Sequence, residues 1–499
     1  MNLLACVLAL GLAAQEPEAL DAGVVLDEVA SPVPSAFEAF ASTVDVRLFG
    51  GAWGHMGVDT RFDSPAGAPL AENVFDGRLR LSLGVDVKLS DRLRVVLEGR
   101  GRLMGATQRD FARAKGLFEP SLGEAYLDVY SDLVDLRIGQ QRVALGSNAV
   151  FAPTDVLNPR DLRESLLLGE PEDAMLPVLA LRARGEFAGL SWLLAYAPFF
   201  SPSRYALFGQ DESLVQPQLF GAGASVSNNR VDPTIEDLIQ DRLLESARPL
   251  PFAGDLALRL GFEGRVKVAA SWVWANEKLP QVRVDPELAD VLYAQSQGQS
   301  APSAALVSVQ NRFAAGETLY RGTYGRTHLF GLDGSALLGP VQVDVDVAFS
   351  PRQTFFDAAL APLSKASLQW VVGVSQAEDS PVLFSLTYWG LAAFGVLAHE
   401  QLLLVEPATA RGADRVAFLH LLVGSVSYAF WDKRIDVGVR ALFEPIQKSF
   451  AMAPRITYQG VDRLKVWLGA EFYEGPAFSP LGYFGRNDKV ALGARVDLF

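Results

Sequence analysis

The residues of this chain that could do chemistry are charged side chains that recur at every second position in the first half of the sequence. Guanidinium groups repeated along one surface bind anions, because each carries a permanent positive charge and several fixed N–H donors. The set predicted to line an anion path, with its interspersed acids, comprises Arg78, Arg80, Arg94, Glu98, Arg100, Arg102, Arg137, Arg182, Arg184 and Glu186. Two interpretations stand. The set attracts an anionic solute, or it pairs with carboxylates in a network that only stiffens the protein.

A second charged set lies in the segment 147–176, which is rich in Pro, Asn, Asp and Glu. Like charges that face one another across strands are destabilising, so the arginines need carboxylates or a bound anion nearby. We predict that this segment forms a constriction in which its acids face the arginines, Arg102 and Arg137 among them. The predicted constriction acids are Glu164, Glu170, Glu172 and Asp173.

The histidines give little support to a catalytic or metal site. None of the four has a metal-like spacing to another, and no Gly-x-Ser-x-Gly sequence supplies a nucleophile. Glycine-rich phosphate loops and cysteine metal motifs are missing from the sequence as well. The sequence therefore predicts no enzyme activity, no cofactor and no metal site. The four residues are His55, His328, His399 and His420.

Charge and cysteine content narrow the class of protein further. The 499 residues carry a net charge of −14 and show no basic patch suited to phosphates, which argues against nucleic-acid binding. We interpret residues 1–14 as a secretory signal peptide, and residues 15–41, with six acids and no base, as an acidic periplasmic segment. The single cysteine, Cys6, lies in the signal, so the mature chain is predicted to have no disulfide.

The elements that must position the charged set are β-strands. In residues 78–89 leucine and valine occupy every odd position, while arginine, aspartate and lysine take most of the even ones. This period of two indicates a strand with one apolar face and one polar face. A length of ten to twelve residues suits a tilted crossing of the bilayer core, which needs roughly 9–11 residues. An arginine facing lipid at mid-bilayer would cost on the order of 2–4 kcal/mol, so the charges are predicted to face a lumen.

The rhythm of the connections predicts the topology. About eighteen amphipathic segments fit between residues 42 and 499, and tight turns alternate with long connections along them. A soluble β-sandwich has no reason to obey this alternation, whereas outer-membrane barrels have short periplasmic turns and long extracellular loops. We predict an all-β transmembrane antiparallel barrel of about 18 strands, with both termini in the periplasm. The tight turns fall near residues 90, 132, 189, 264, 340, 378, 432 and 461.

Four segments do not follow the simple alternating pattern. Residues 382–398 and 416–431 are apolar on both faces, and each is long enough for a marginal helical span. Their aromatic and β-branched content, Gly390, Gly424 and the regular spacing favour strands that need an apolar inner partner. That partner would be an inserted loop or a substrate with an apolar part. Leu166, Leu167 and Leu168 are the predicted contact if the loop 147–176 bends inward. Residues 234–246 and 287–295 show helical spacing and are predicted to form helices within loops.

The carboxyl end of the chain resembles the signal that bacterial outer-membrane proteins present to their assembly machinery. It is an amphipathic segment, 489–499, that ends in Phe499, although its apolar positions are one residue out of phase with that phenylalanine. The expected partners are therefore this machinery, outer-membrane lipid and lipopolysaccharide, and a small solute. The expected location is the bacterial outer membrane, and the sequence does not indicate an oligomeric state.

A spaced motif around the long loop carries a family resemblance. It reads Arg137-x-Gly139-x-Gln141, then Gly146, then Leu157-Asn158-Pro159-x-Asp161, and finally Ala174-x-Leu176-Pro177. This pattern resembles proteobacterial outer-membrane barrels of a family with no assigned function, and alginate-export and phosphate-selective porins share its first part. The resemblance implies a porin-like channel and names no substrate. The alternative is a non-conducting barrel that acts as a surface enzyme, an adhesin or a scaffold.

Overall fold

The fold is given by a computed structural model, which describes most of the segment that follows the acidic amino-terminal region. The predicted segments 1–14, 15–41 and 234–246, and the four constriction acids, lie outside the described residues. The described residues are 45–59, 73–108, 114–148, 152–163, 167–168, 174–205, 254–288, 290–291, 303–356, 362–376, 380–397, 400, 402, 405, 415–476, 479–485 and 487–498.

Eighteen strands form one closed antiparallel sheet, in which each strand pairs with its neighbours in the chain. Nine of them precede a long excursion of the chain: β1 Asp45–Asp59, β2 Asn73–Ser90, β3 Leu93–Gln108, β4 Ala114–Val129, β5 Asp135–Gln141, β6 Val178–Phe187, β7 Leu190–Ala197, β8 Asp255–Phe262 and β9 Val266–Asn276. The excursion holds a hairpin of β10 Gln281–Val284 and β11 Tyr320–Thr323, and the helix α1 Ser303–Ala314.

The other nine barrel strands follow that excursion. They are β12 Arg326–Leu338, β13 Val341–Phe356, β14 Pro362–Gln376, β15 Val382–Val396, β16 Arg415–Phe430, β17 Ile435–Glu444, β18 Ser449–Val461, β19 Leu464–Glu474 and β20 Lys489–Asp497. The pairing of β9 with β12 bridges the excursion, and the pairing of β1 with β20 closes the ring. The predicted transmembrane barrel of about 18 strands is confirmed.

The two faces of the wall are those that the alternation predicts. On β2, Leu79 and Leu81 are 49% and 44% exposed on the outer surface, while Arg78 and Arg80 are 9% and 8% exposed on the inner one. Leucine side chains that would be unfavourable in water are suited to the acyl chains of a bilayer, where a charge is costly. The same phase holds on β13, where Val345 faces outward and Asp346 is completely buried on the inner side.

Seven of the eight predicted tight turns fall where the sequence places them, and the one near residue 378 lies outside the described residues. Residues 91–92 join β2 to β3, and residues 339–340 join β12 to β13. Several turns contain residues with positive φ, such as Gly189 at 79° and Gly339 at 63°, where a side chain would be strained. The long connections lie at the opposite end of the barrel. The assignment of that end to the extracellular side stays a prediction.

The two apolar runs are strands β15 and β16. Among the described residues, no helix is long and apolar enough to cross a membrane. The inner faces of the two strands are covered, since Leu391, Leu419 and Leu421 are at most 1% exposed. They belong to a buried apolar cluster that also contains Leu167 and Leu168 of the β5–β6 connection. Inserted chain is therefore the apolar partner of these strands.

Other connections contribute to the same cluster. Val309 of α1 is buried in it, and Leu306 and Phe313 pack against it. Tyr483 and Phe484, in a short 3₁₀ turn between β19 and β20, are buried there as well. Residues 286–288 and 290–291 are helical, which agrees with part of the predicted segment 287–295. Sequence analysis did not identify the β10–β11 hairpin or α1.

Candidate functional site in the barrel lumen

The connection between β5 and β6, residues 142–177, crosses the lumen and is called the inner loop below. On one side the Asp346 carboxylate of β13 accepts the backbone N–H groups of Ser147 at 2.9 Å and Asn148 at 2.8 Å. On another side the Glu471 carboxylate of β19 accepts the N–H groups of Leu167 at 3.2 Å and Leu168 at 2.9 Å. Strands β13 and β19 lie on different arcs of the ring. The inner loop is therefore held within the lumen from two arcs of the wall.

Further bonds fix the inner loop at each of these two ends. The Asp333 carboxylate of β12 accepts a hydrogen bond from the Ser147 hydroxyl and forms an ion pair with Arg259 of β8. Near the other end, Arg440 of β17 donates to the carbonyl oxygen of Leu167 at 2.8 Å. Hydrogen bonds to charged groups contribute about 1.5–3 kcal/mol each, so the loop has a defined seat.

The motif residues of the inner loop determine its internal shape. The Asn158 side chain accepts the N–H of Val143 at 3.0 Å and donates to the Val143 carbonyl at 2.8 Å, and so joins the two arms of the loop. Gln141 donates to the carbonyl of Ala180 at 2.9 Å. Gly139 and Gly146 have φ values of 136° and 95°, which side chains rarely adopt. These contacts explain why Gln, Gly and Asn stand at these positions of the motif.

Most of the predicted arginines have carboxylate partners. Arg94 pairs with Asp86 at 2.6 Å, Arg100 with Glu98 at 2.6 Å and Arg137 with Asp128 at 2.6 Å. Arg184 pairs with Asp135 at 3.2 Å, and the weaker contact of Arg78 with Asp76 is 3.7 Å. The Arg80 guanidinium lies 5.6 Å from the centre of the Trp53 ring. For these residues the structure favours the interpretation as an ion-pair network.

Arg102 forms the charged link between the wall and the inner loop. It pairs with Asp161 of the loop, and Arg163 binds the same carboxylate at 2.8 Å. Arg163 also donates two bonds of 2.8 Å to Glu119 of β4. Burial opposes ionisation of Asp161, but the hydrogen bonds from Arg163 and the positive charge of Arg102 outweigh it and hold the pKa of Asp161 below its ordinary value.

Arg102 and Arg137 have partners in different parts of the protein. Arg102 pairs with Asp161 of the inner loop, whereas Arg137 pairs with Asp128 of the wall. The four expected acids lie outside the described residues. Asp161 already stands in the quoted motif, as the acid that follows Asn158-Pro159, so the signal for it was present in the sequence.

Arg182 differs from its neighbours on the wall. It lies directly opposite Arg137 in the β5–β6 register, and Arg184 is two residues further along the same face. Both neighbours have carboxylate partners, whereas Arg182 makes no hydrogen bond or ion pair within the described part of the chain. Arg182 is partly buried, and Glu186 at the end of the strand is exposed.

An acidic surface that sequence analysis left out of the site lies on β12 and β13. Asp333, Asp344 and Asp346 are each at most 6% exposed on the inner face. Asp333 and Asp346 lie five residues from the strand ends that a tight turn joins, and Arg182 lies five residues from its own tight turn. The basic and acidic surfaces are therefore at a similar depth in the lumen. The alternation of β13 predicts that Asp344 and Asp346 face inward, but not that Asp346 holds the inner loop.

At the tight-turn end, the lumen has a charged mouth. A cleft of about 320 Å³ is lined there by Asp45, Arg47, Asp86, Lys88, Arg94 and Tyr130. The Tyr130 hydroxyl donates to Asp128 at 3.0 Å, Asp128 pairs with Arg137, and Arg137 lies opposite Arg182 in the β5–β6 register. A polar strip with both signs of charge thus follows the inner wall from β1 to β6.

The three histidines in the described part of the chain lie on separate strands, β1, β12 and β16. His55 faces the lumen, where its Nε2 lies 3.4 Å from Asp76. His328 and His420 lie on the outer surface among aromatic rings, and their ring nitrogens bond to Trp272 and to the Tyr388 hydroxyl. In the part of the chain that the structure describes, no three His, Cys, Asp or Glu residues are grouped to hold a metal ion. His399 lies outside it.

Comparisons with known proteins give low similarity throughout. No protein-family model and no curated protein matches the sequence, so the resemblance drawn from the 137–177 motif stays a prediction. Among solved structures, OccK1 (OpdK) of Pseudomonas aeruginosa has 10% identity and a TM-score of 0.45, with 91% of this chain and 98% of that chain covered. Salmonella typhi OmpF in complex with daunomycin has 10% identity and a TM-score of 0.41, with 91% and 97% covered. The assignment of the barrel rests on the strand pairing of this chain, not on these superpositions.

Proposed function

We propose that this protein is an outer-membrane channel for passive diffusion of small anionic or amphiphilic solutes, narrowed by its inner loop. The observation that carries the proposal is the closed 18-stranded ring with an apolar outer face and a charged inner face. Closed barrels satisfy all backbone hydrogen bonds within a bilayer, and a polar interior provides a path for water and solutes. Such a channel needs neither a cofactor nor an energy source.

The lumen offers different chemistry on its two sides. Arginines line β2 to β6, with a continuous polar strip that starts at the charged cleft. Strands β14 to β16 instead present buried apolar residues such as Val371, Leu391 and Leu419 toward the inserted loops. A solute that passes between these surfaces meets positive charge on one side. This asymmetry supports the preference for anions, including anions with an apolar part.

The inner loop is proposed to set the narrowest point of the path. It bonds to β12–β13, to β17–β19 and, through Asp161, to Arg102 of β3. A segment tied to three parts of the wall reduces the open cross-section of the lumen. Glu164, Glu170, Glu172 and Asp173 are the proposed acids of this constriction, because they lie in the same loop.

Planar-bilayer recording of the purified protein tests the channel. We expect stepwise conductance in KCl and a reversal potential that indicates anion preference under a salt gradient. Deletion of residues 160–172 should raise the conductance severalfold. The absence of conductance in repeated insertions of folded protein would contradict the proposal and favour a non-conducting barrel. A surface enzyme, an adhesin or a scaffold would then have to be tested by hydrolysis or binding assays.

Membrane fractionation and protease protection test the location. We expect the protein in the outer membrane, with both termini in the periplasm and the long connections outside. A tag after Asp497 should resist protease in intact cells, whereas a tag in the connection between β1 and β2 should be cleaved. Cleavage of both tags, or of neither, would contradict this orientation.

A further inference from the structure

The guanidinium group of Arg182 has no directly paired carboxylate among the described residues. Its two basic neighbours, Arg137 and Arg184, pair with Asp128 at 2.6 Å and Asp135 at 3.2 Å. Arg182 itself has no hydrogen bond or ion pair within the described residues. A guanidinium group presents five N–H donors and does not lose its charge in proteins, so it remains competent to bind an acceptor.

The surroundings of Arg182 combine this charge with apolar surface. On the same face of β6, Ala180 and Val178 are buried in an apolar cluster with Val143 and Leu145 of the inner loop. Ala195, which lies opposite Arg182 on β7, belongs to that cluster, and Leu193 packs against it. Arg182 therefore stands where the polar strip meets the apolar layer formed by the inner loop and the wall.

We propose that Arg182 binds the carboxylate of a small organic acid with an apolar body, an assignment that rests on the proposed channel function. The flanking arginines are already neutralised, so the site supplies about one free positive charge and matches one negative charge better than two. A carboxylate accepts two parallel N–H groups from a guanidinium. The apolar part of the acid then contacts the neighbouring layer around Leu193 and Ala195. The wall thus provides a retention point for monocarboxylates within the path.

Current block by short carboxylic acids tests the assignment. Butyrate combines one carboxylate with an apolar body, acetate lacks the apolar body, and sulfate carries two charges. We expect butyrate to reduce the chloride current at a lower concentration than either acetate or sulfate. Arg182→Gln should raise the half-blocking concentration of butyrate at least tenfold, the size expected for the loss of a charged hydrogen-bonding partner.

Arg184→Gln is the matched control, because Arg184 lies two residues away on the same face and has Asp135 as its partner. It should change the half-blocking concentration less than threefold. Equal effects of the two substitutions, or no block of the wild-type channel by butyrate, would overturn the assignment of Arg182 while leaving the channel itself intact. Absence of any chloride current would instead refute the proposed function.

Thermal unfolding tests the binding of butyrate at Arg182 without a current recording. Butyrate that binds the folded barrel raises its unfolding temperature, since a ligand stabilises the state that binds it. We expect this rise for the wild type and for Arg184→Gln in detergent, and its loss in Arg182→Gln. The unfolding temperature without butyrate shows whether Arg182→Gln is folded. A rise that is retained in Arg182→Gln would mean that the acid binds elsewhere.

Discussion

Replacing Asp161 with asparagine should release the inner loop from its seat against the wall. The Asp161 carboxylate is fully buried and receives both Arg102 and Arg163, whose side chains are 10% and 8% exposed. Asp161→Asn retains the size of the side chain but removes the negative charge between two buried guanidinium groups. Removing one partner of a buried ion pair costs about 3–5 kcal/mol, because the remaining charge is left without compensation.

The expected size of the effect follows from that cost. If only the seated loop contains the ion pairs, a loss of about 3 kcal/mol raises the ratio of unseated to seated loop roughly 150-fold, at 1.36 kcal/mol for each factor of ten. Glu119 keeps part of the interaction with Arg163, through two bonds of 2.8 Å. The lower limit of the cost of about 3–5 kcal/mol therefore applies to Asp161→Asn. The double variant Asp161→Asn, Arg102→Gln should recover part of the loss, because it removes one of the uncompensated charges.

Thiol labelling of the loop measures this opening. Val143 belongs to the inner loop and is completely buried in the apolar cluster that the loop forms with the wall, so a Val143→Cys probe is labelled by a maleimide only when the loop leaves its seat. The labelling rate should rise roughly 150-fold in Asp161→Asn. Asp91→Asn is the control, because it breaks the exposed pair with Lys88 at 2.9 Å, and exposed pairs contribute little. A labelling rate within twofold of the parent in Asp161→Asn would refute the assignment of this cluster as the loop anchor.

Three further predictions follow from other parts of the structure. Burial raises the pKa of Asp155 to about 6 from 3.8, so its contribution to loop seating is greatest below pH 3.8 and is lost as pH rises through 6; labelling of the Val143→Cys probe should accelerate over that interval, and Asp155→Asn should abolish the dependence. Leu81→Arg, on the outer face of β2, should make the free energy of folding into the membrane less favourable by about 2–4 kcal/mol. Ser82→Arg, at the neighbouring inward-facing position, should be tolerated in the same folding assay. Equal effects of the two substitutions would contradict the assignment of the outer and inner faces of the wall. Arg137→Ala removes a cation and frees Asp128, so the ratio of cation to anion permeability should rise by about threefold for one unit charge near the path. Arg102→Ala should shift this ratio in the same direction. Unchanged reversal potentials in both variants would leave the arginines a structural role only.

The inward and outward faces of the strands could be predicted from the sequence, because a single charged residue on the lipid face would be costly. The alternation along residues 78–89 predicts which face of β2 meets lipid. In the structure the tight turn after Ser90 sets Lys88 opposite Arg94 and Arg80 opposite Arg102. These features depend on near neighbours in the chain and on the high cost of a misplaced charge. Strand number and turn positions follow from the same constraint.

The path of the chain inside the barrel was harder to predict. The apolar inner faces of β15 and β16 required an inserted partner, and Leu167 and Leu168 were identified from the sequence. Asp161 was missed as the partner of Arg102, because loop contacts have no periodicity that indicates which of several acids reaches the wall. Tyr483 and Phe484 were missed for the same reason, since nothing in their local sequence distinguishes a buried aromatic turn from an exposed one.

The anchoring of the inner loop imposes an order on the biogenesis of the barrel. The N–H group of Ser147 binds the carboxylate of Asp346, which is 199 residues later in the chain. The N–H group of Leu167 binds the carboxylate of Glu471, which is 304 residues later. Neither acceptor exists in the wall until β13 and β19 have been added, so a partly assembled sheet cannot hold this segment in place. Contacts of such long sequence separation form late because the intervening chain must first be ordered. Complete seating of the inner loop is thus coupled to completion of the sheet, and a barrel that lacks its last strands would hold the loop from β3, β12 and β13 but not from β19.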